Sequence, residues 1–166
     1  MTLAMDIARL LTRELDGFAR ELELFPEEAM LWHTAPGLTN SAGNLALHVA
    51  GNLQHFVGRM LGGTLYLRDR DAEFGTRGAS RAAVLAELRE AARAVRDTLD
   101  RLDVSTLEMP MPGAPPGLHT RTDLFLLHLV AHTAFHLGQA GYLRRLLTGN
   151  GASAEPLPLR VLDQRA

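Results

Sequence analysis

The chain has 166 residues, of which 46% are apolar and 22% are charged, and its formal net charge at neutral pH is −2. These values are typical of a single globular domain that can bury a core without disulfides. The small net charge gives no electrostatic reason to expect a nucleic acid partner. The sequence contains no cysteine and no lysine, which excludes disulfides, zinc ribbons, protein thiol nucleophiles and lysine Schiff bases.

The N-terminal segment and the apolar runs bear on the location of the protein. The segment MTLAMDIARLLTREL carries alternating charges, including Asp6, and does not have the pattern of a signal peptide. No apolar run reaches about 18 residues without a histidine or a charge, so no membrane span is predicted. We therefore expect a cytoplasmic protein without a membrane partner.

Apolar positions with a period of 3.6 residues predict the first two helices. The first covers residues 3–25. Asn40 or Ser41 can cap the second, whose apolar face continues to the Gly62–Gly63 pair. Residues 62–79 are predicted to be a polar loop with dense charge.

Two further helices are predicted beyond that loop. Ser80 opens the third, and residues 103–120, with four prolines, form a long connector of the kind that often covers a site. Thr120 and Asp123 resemble a capping box for a fourth helix over residues 121–148. The sequence thus predicts an all-α, up-down-type four-helix bundle over residues 1–148, followed by an extension over residues 149–166.

Three histidines, His128, His132 and His136, recur every four residues in the fourth helix. Residues four apart project from nearly the same side of a helix, and a buried row of imidazoles is costly unless their nitrogens are used. A divalent metal ion is the strongest candidate to bind these imidazole nitrogens. Thr133 occupies the position that carries glutamate in the metalloprotease motif HExxH, which removes that class of peptidase.

The second helix carries two more histidines on one side, His48 and His55, with Asn52 between them. A metal site that bridges the two helices is therefore the first hypothesis. Periodicity alone leaves open whether His48, His55 or His128 completes the ligand set.

Two separated motifs resemble those of DinB-like proteins, the damage-inducible or YfiT-like bundle superfamily. The segment NSAGNLALHVAGNLQHFVG is similar to its second helix, and HTAFHLGQ is similar to its HxxxHxGQ motif in the fourth helix. The connector RDRDAEF and the Trp32 to Gly37 stretch also resemble one branch of this superfamily. The resemblance covers roughly residues 30–148.

The resemblance implies a divalent metal, usually zinc or nickel, bound by three histidines. Carried onto matching positions, the ligands are His48, His132 and His136. Three protein ligands leave a position open for water or substrate, as in catalytic sites. The remaining polar candidates are then expected to contact the ligands or to line the pocket: His55, His128, Gln139 and Asn52.

The resemblance also implies a small-molecule substrate and a class of reaction. Characterised members include S-transferases that use a low-molecular-weight thiol such as bacillithiol or mycothiol. A metal-bound thiol is acidified, which fits a cysteine-free protein that takes its thiol from outside. Arg68, Arg70 and Arg121 are candidates for contacts to an anionic thiol, although solvated surface arginines are the commoner situation.

Two other functions stay open from the sequence. One is a metal-dependent hydrolase, which the absence of a carboxylate from both histidine motifs weakens, although Asp123 and Glu108 are expected near the mouth of the site. The other is a non-catalytic protein of the stress response that binds a metal or a small molecule.

The fourth helix is apolar almost all round, which indicates burial on every side, either centrally or in an oligomer interface. Small residues that would let a neighbouring helix approach follow one stripe of it: Ala131, Ala134, Gly138 and Gly141. We therefore expect a homodimer.

Overall fold

The computed structural model describes residues 2–163, which form helices joined by irregular segments. The α-helices of this part of the chain are α1 (Leu3–Glu23), α2 (Ala42–Leu53), α3 (Arg70–Gly75), α4 (Arg81–Leu99) and α5 (Thr122–Thr148). A π-helical segment, Gln54–Leu61, continues α2, and short 3₁₀ segments cover Glu28–Trp32, Val104–Glu108 and Leu159–Leu162. The predicted all-α bundle is confirmed, with α4 and α5 as the predicted third and fourth helices.

Met1 and residues 164–166 are outside the described residues. These are the outermost parts of the predicted units 1–148 and 149–166. The boundary between the two units stays a prediction.

Three long helices begin at a side-chain cap. The hydroxyl oxygens of Thr2, Ser41 and Ser80 accept hydrogen bonds from the backbone N–H three residues later, at the starts of α1, α2 and α4. Each cap satisfies an N–H group that has no partner within the helix. Of the two caps that the sequence offered for the second helix, Ser41 is the one used.

The bundle places α1 diagonally opposite α2. Each of these two helices packs against both α4 and α5, whereas α1 and α2 make far fewer contacts with each other. The connectors over residues 24–41 and 100–121 therefore run between diagonal corners of the bundle. The apolar faces of the four long helices meet in one core, which includes Leu11, Phe18, Val49, Val95 and Leu126.

The segment predicted as a polar loop contains a helix, which corrects the sequence prediction for residues 62–79. The Asp69 side chain accepts a hydrogen bond from the N–H of Ala72 and caps the short helix α3. Six residues are less than two helical turns, so no hydrophobic period is visible in the sequence of α3. This helix packs against α2.

The predicted capping box at the start of α5 is wrong. Thr120 donates its hydroxyl to the Arg121 carbonyl, and the Asp123 carboxylate binds Arg121 and the N–H of Leu124. The backbone of the connector replaces the cap, because the N–H of Thr122 donates to the Met109 carbonyl. Met109, in the first half of the 103–120 connector, is thus tied directly to the start of α5.

Helix α5 is buried on one side and exposed on the other. Its exposed stripe carries large apolar side chains: Leu124, Leu127, Phe135, Tyr142 and Leu146. Burial on every side is therefore not reached within one chain. The dimer that would cover this stripe stays a prediction.

Residues beyond α5 fold back onto α1. Arg144, which is fully buried, donates to Glu21 at 2.5 Å and to the carbonyls of Asn150 and Ala152. Arg20 donates to the carbonyls of Ala154 and Glu155. These charge-assisted bonds hold the segment after α5 in place without a disulfide.

None of the helices between residues 2 and 163 is both long enough and apolar enough to cross a bilayer.

A buried carboxyl group lies on the inner side of α1. Glu14 is 1% exposed, and its Oε1 accepts a hydrogen bond from Arg13 at 3.3 Å, while its Oε2 has no partner within residues 2–163. Burial raises the pKa of Glu14 to about 7, since the contacts with Arg13 offset only part of the lost hydration.

We predict that Glu14→Gln stabilises the protein increasingly as the pH rises from 5 to 8. The folded protein holds a proton on Glu14 that the unfolded chain loses near pH 4.5, so the wild type loses stability up to a pH of about 7. Glutamine mimics the protonated acid and removes this loss, which amounts to at most about 3 kcal/mol. Urea unfolding at several pH values measures the difference, with Glu23→Gln on the exposed side of α1 as control. A difference that stays constant from pH 5 to 8 would contradict the prediction.

Candidate metal centre

Helices α2 and α5 bring together three of the predicted histidines: His48 from α2, and His132 and His136 from α5. Nε2 of His132 lies 3.2 Å from Nε2 of His48 and 3.1 Å from Nε2 of His136. One ligating nitrogen from each ring lies within 4.8 Å of the other two. We call these three residues the histidine cluster.

The spacing of these nitrogens suits a shared metal ion. Nitrogens bound to one tetrahedral zinc at about 2.0–2.1 Å are about 3.3 Å apart, close to the two shorter distances in the cluster. Nε2 of His132 carries either one proton or one lone pair, so it can make a linear hydrogen bond with only one of its neighbours. A cation between the rings would satisfy all three lone pairs at once. The cluster is therefore one that could bind a metal ion.

A buried carboxylate orients His48. Nδ1 of His48 lies 2.9 Å from Oε2 of Glu73, in α3. An ionised carboxylate only accepts hydrogen bonds, so Nδ1 carries the proton and the lone pair of Nε2 points into the cluster. Arg68 in turn donates to both oxygens of Glu73, at 2.7 and 2.9 Å.

The electrostatics keep Glu73 ionised. Burial by itself would raise its pKa, but the hydrogen bonds from His48 and Arg68 and the charge of Arg68 outweigh burial. The pKa of Glu73 therefore lies below its ordinary value. Glu73 is the acceptor that the His48 tautomer requires.

Two residues of α2 position the helix that carries Glu73. The side-chain amide of Asn44 donates to the carbonyls of Glu73 and Thr76, at 3.0 and 3.1 Å. A Cβ atom at Gly51 would come within 2.3 Å of Oε1 of Glu73, so this position leaves room for the carboxylate only as glycine. The close approach of α3 to α2 thus depends on both residues.

Gln139 orients His136 in a similar way. Its Oε1 lies 2.8 Å from Nδ1 of His136. An amide oxygen accepts, which leaves Nε2 of His136 with its lone pair toward the cluster. Gln139 thus contacts one residue of the histidine cluster.

His132, at the centre of the cluster, is strongly biased toward its neutral form. Burial lowers its pKa most, and the nearby His136, His48 and His128 lower it further, to about 3. The pKa of His136 is also lowered, mainly by burial. Neutral imidazole is the form that binds metals, so these rings need not lose a proton first.

The cluster opens into a cavity of about 710 Å³ between α2, α5 and the 103–120 connector. His48 and His132 form part of its wall, and Arg68 and Arg70 lie on the same wall. Much of the remaining wall is apolar and comes from the π-helical segment, the connector and α5: Phe56, Pro115, Leu118, Leu124, Phe125 and Leu129. The 103–120 connector thus forms one side of the cavity, and its role as a cover over a functional site stays a prediction.

The other residues singled out in the sequence are divided between the cavity and its surroundings. Asn52 and His128 line the cavity. His55 belongs neither to the cluster nor to the described cavity wall, and its ring packs against Phe56 with 4.8 Å between centroids. His55 is two turns, about 10 Å, beyond His48, so the two rings cannot reach one ion.

The charged residues expected near the mouth of the site lie only partly on the cavity wall. Arg121 pairs with Asp123, and neither Asp123 nor Glu108 is among the described residues that line the cavity. Arg70 does line it, with its guanidinium 5.4 Å from the centre of the Phe74 ring.

A family model described as the DinB superfamily matches residues 10–140, which is most of the chain. The chain belongs to the DinB superfamily. A comparison with curated proteins found no match. The family assignment and the histidine cluster together describe a DinB-superfamily protein that could bind a metal ion.

Sequence reasoning missed two residues of this DinB-superfamily site, Glu73 and Gly51. Glu73 lies in the segment RDRDAEF, where Asp69 followed by acidic residues is the pattern of a capped helix start. That pattern could have revealed α3 but not the partner of its glutamate. Gly51 carries no sequence signal, because its role arises only once α3 is packed on α2.

We predict that His132 in metal-free protein stays neutral well below the pH at which an ordinary histidine takes up a proton. The unfolded chain takes up that proton near pH 6.5 and the folded protein does not, so His132 lowers the stability as the pH falls from 7 to 5. Nitrogen-15 NMR of the histidine rings measures the protonation directly. A His132 ring that titrates between pH 6 and 7 would contradict the prediction.

Proposed function

We propose that this DinB-superfamily protein binds one divalent metal ion, zinc or nickel, through His48, His132 and His136, and that it is a metal-dependent thiol S-transferase. The observation that carries the proposal is the convergence of three ring nitrogens, two of them from histidines that line an open cavity. Imidazole suits both metals, so the ligand set does not choose between them. Three protein ligands would leave room for a small-molecule ligand from the cavity.

A divalent cation at this position would lower the pKa of a low-molecular-weight thiol and so supply thiolate near neutral pH. The chain itself offers no thiol, since it has no cysteine. In the transfer, the sulfur loses its proton and forms a bond to an electrophilic carbon, and the leaving group departs with its electron pair. His128 lines the cavity and is exposed, so it can pass the thiol proton to solvent.

The absence of an acidic residue from the described cavity wall weakens the hydrolase alternative, although His128 could serve as a base in either reaction. None of the described residues that line the cavity is acidic, so no carboxylate is placed to take a proton from water. The nearest buried carboxylate, Glu73, already accepts from His48 and Arg68. A thiol needs less help to ionise than water does, since its ordinary pKa is near 8.5.

Arg70 is the arginine best placed to contact an anionic thiol. Arg68 is held by Glu73, and Arg121 is paired with Asp123, whereas Arg70 lies on the cavity wall beside an aromatic ring. A carboxylate on the thiol could therefore pair with Arg70.

We predict that Glu73→Gln lowers the affinity for zinc about 10- to 100-fold, because it removes the charged acceptor that orients His48. Gly51→Ala changes the affinity in the same direction, since the new methyl group displaces the carboxylate. Competition titration against a zinc-binding dye measures both effects. The exposed Asp71→Asn, on the same helix, is the matched control, and equal losses in all three variants would contradict the assignment.

We predict that zinc- or nickel-loaded protein conjugates a low-molecular-weight thiol to 1-chloro-2,4-dinitrobenzene, with release of chloride and the thiol proton. His132→Ala should reduce the rate about 100-fold or more, because the metal is lost, and the exposed His119→Ala should not. The assay compares glutathione, cysteine, bacillithiol and mycothiol by absorbance.

Three results are possible in that assay. Turnover that depends on metal and on His132 supports the transferase. Ester hydrolysis without thiol transfer would overturn it in favour of the hydrolase. Full metal occupancy with neither reaction would leave a non-catalytic binding protein and overturn the enzyme proposal.

A further inference from the structure

The 103–120 connector ends in a loop whose base is closed by backbone contacts. The N–H of Met111 donates to the Thr120 carbonyl at 2.9 Å, next to an antiparallel bridge between Pro110 and Arg121. Met111 itself belongs to the buried core. Because its base is closed and anchored in the core, the loop can hold its tip at a defined place beside the cavity.

A tight turn at the tip of this loop presents a leucine to the cavity. The N–H of Leu118 donates to the Pro115 carbonyl at 3.0 Å, and Gly117 has a φ of +82°. Proline at the second position and glycine with positive φ at the third are typical of a type II turn, and Pro116 and Gly117 occupy these positions. Pro115 and Leu118 both line the cavity. The turn thus fixes the place of an apolar side chain on the cavity wall.

The apolar part of the cavity wall is accessible at two leucines. Leu118 is 46% exposed, and Leu124, on α5, is 60% exposed. The rings of Phe56 and Phe125 line the same cavity, with 4.9 Å between their centroids. Removing apolar surface from water is favourable, so this wall favours a ligand with an apolar chain or ring.

The same cavity carries a positive charge that no carboxylate balances. Arg70 is exposed, and its guanidinium carbon lies 5.4 Å from the centre of the Phe74 ring. Arg68 and Arg121 pair with carboxylates, whereas Arg70 forms no ion pair among residues 2–163. None of the described residues that line the cavity is acidic. An anionic group on a ligand can therefore pair with Arg70.

We propose that the cavity binds an amphipathic anion, whose charged group pairs with Arg70 and whose apolar chain or ring packs against Leu118. The cavity volume of about 710 Å³ lies within the range of small-molecule sites. This inference rests on the proposed function in taking the cavity as the substrate site. It adds an apolar group to the ligand and makes Leu118 a residue that determines specificity.

Three small probes test the proposal: octane-1-sulfonate, butane-1-sulfonate and the neutral 1-octanol. A sulfonate carries the charge but is a poor ligand for zinc, so these probes report on the cavity wall rather than on a metal ion. Titrations of zinc-loaded and of metal-free protein, followed by two-dimensional NMR, give the affinities. Wild type should bind octane-1-sulfonate at least about tenfold more tightly than butane-1-sulfonate, because four more methylene groups leave water. We call this ratio the chain-length preference.

Variants separate the charged contact from the apolar one. Arg70→Gln should lower the affinity for octane-1-sulfonate about three- to fivefold, the effect of one exposed ion pair, and leave the affinity for 1-octanol unchanged. Arg89→Gln, an exposed arginine of α4 outside the cavity, is its control. Leu118→Asn should reduce the chain-length preference about threefold or more, since part of the apolar contact is lost. Leu65→Asn, at a leucine that is 94% exposed and outside the cavity wall, is the matched control.

The outcomes distinguish this inference from the proposed function. Both predicted losses, with both controls like wild type, support it. Wild type without a chain-length preference, or variants that behave like wild type, overturn it and leave a zinc-binding protein's metal site standing. Both losses in protein that binds no zinc support the ligand class and overturn the metal site. If light scattering shows a wild-type dimer that Leu118→Asn dissociates, the leucine belongs to a contact between copies and the proposal is overturned.

Discussion

The site depends on one buried contact, the hydrogen bond from Nδ1 of His48 to Glu73. This hydrogen bond places the proton of the His48 ring on Nδ1 and turns Nε2 toward His132. Arg68 balances the charge of the carboxylate, so the contact does not leave an unpaired buried anion. The close packing of α3 on α2, the glycine at position 51 and the Asn44 hydrogen bonds all hold this contact in place.

The same contact explains how much of the site the sequence could reveal. The spacing of His132 and His136 within one helix predicts that their rings lie together, and the structure brings them together. Periodicity could not choose His48 over His55, since both lie on the same side of one helix. The two histidines differ only in their position along the helix axis. This difference can identify the ligand only when the register between α2 and α5 is known. The family resemblance named His48 through its sequence motif, and in the structure Nε2 of His48 lies 3.2 Å from Nε2 of His132.

The sequence did not reveal two features of the fold: the short helix α3, and the start of α5, where a backbone contact takes the place of a side-chain cap. The helix α3 has six residues, too few for a hydrophobic period, so its glutamate was hidden in a charged segment. The start of α5 was misread because a backbone contact with Met109 replaces a side-chain cap. In both places, tertiary contacts decide a local structure that composition leaves open.

The central claim is that His48, His132 and His136 share one metal ion. X-ray absorption spectroscopy of protein loaded with one equivalent of zinc tests it most directly, with His48→Ala and the exposed His119→Ala measured alongside. The account predicts three imidazole nitrogens at about 2.0–2.1 Å in wild type and in His119→Ala, and a loss of imidazole scattering in His48→Ala. A zinc shell made mostly of carboxylate oxygens, or one unchanged in His48→Ala, would contradict it.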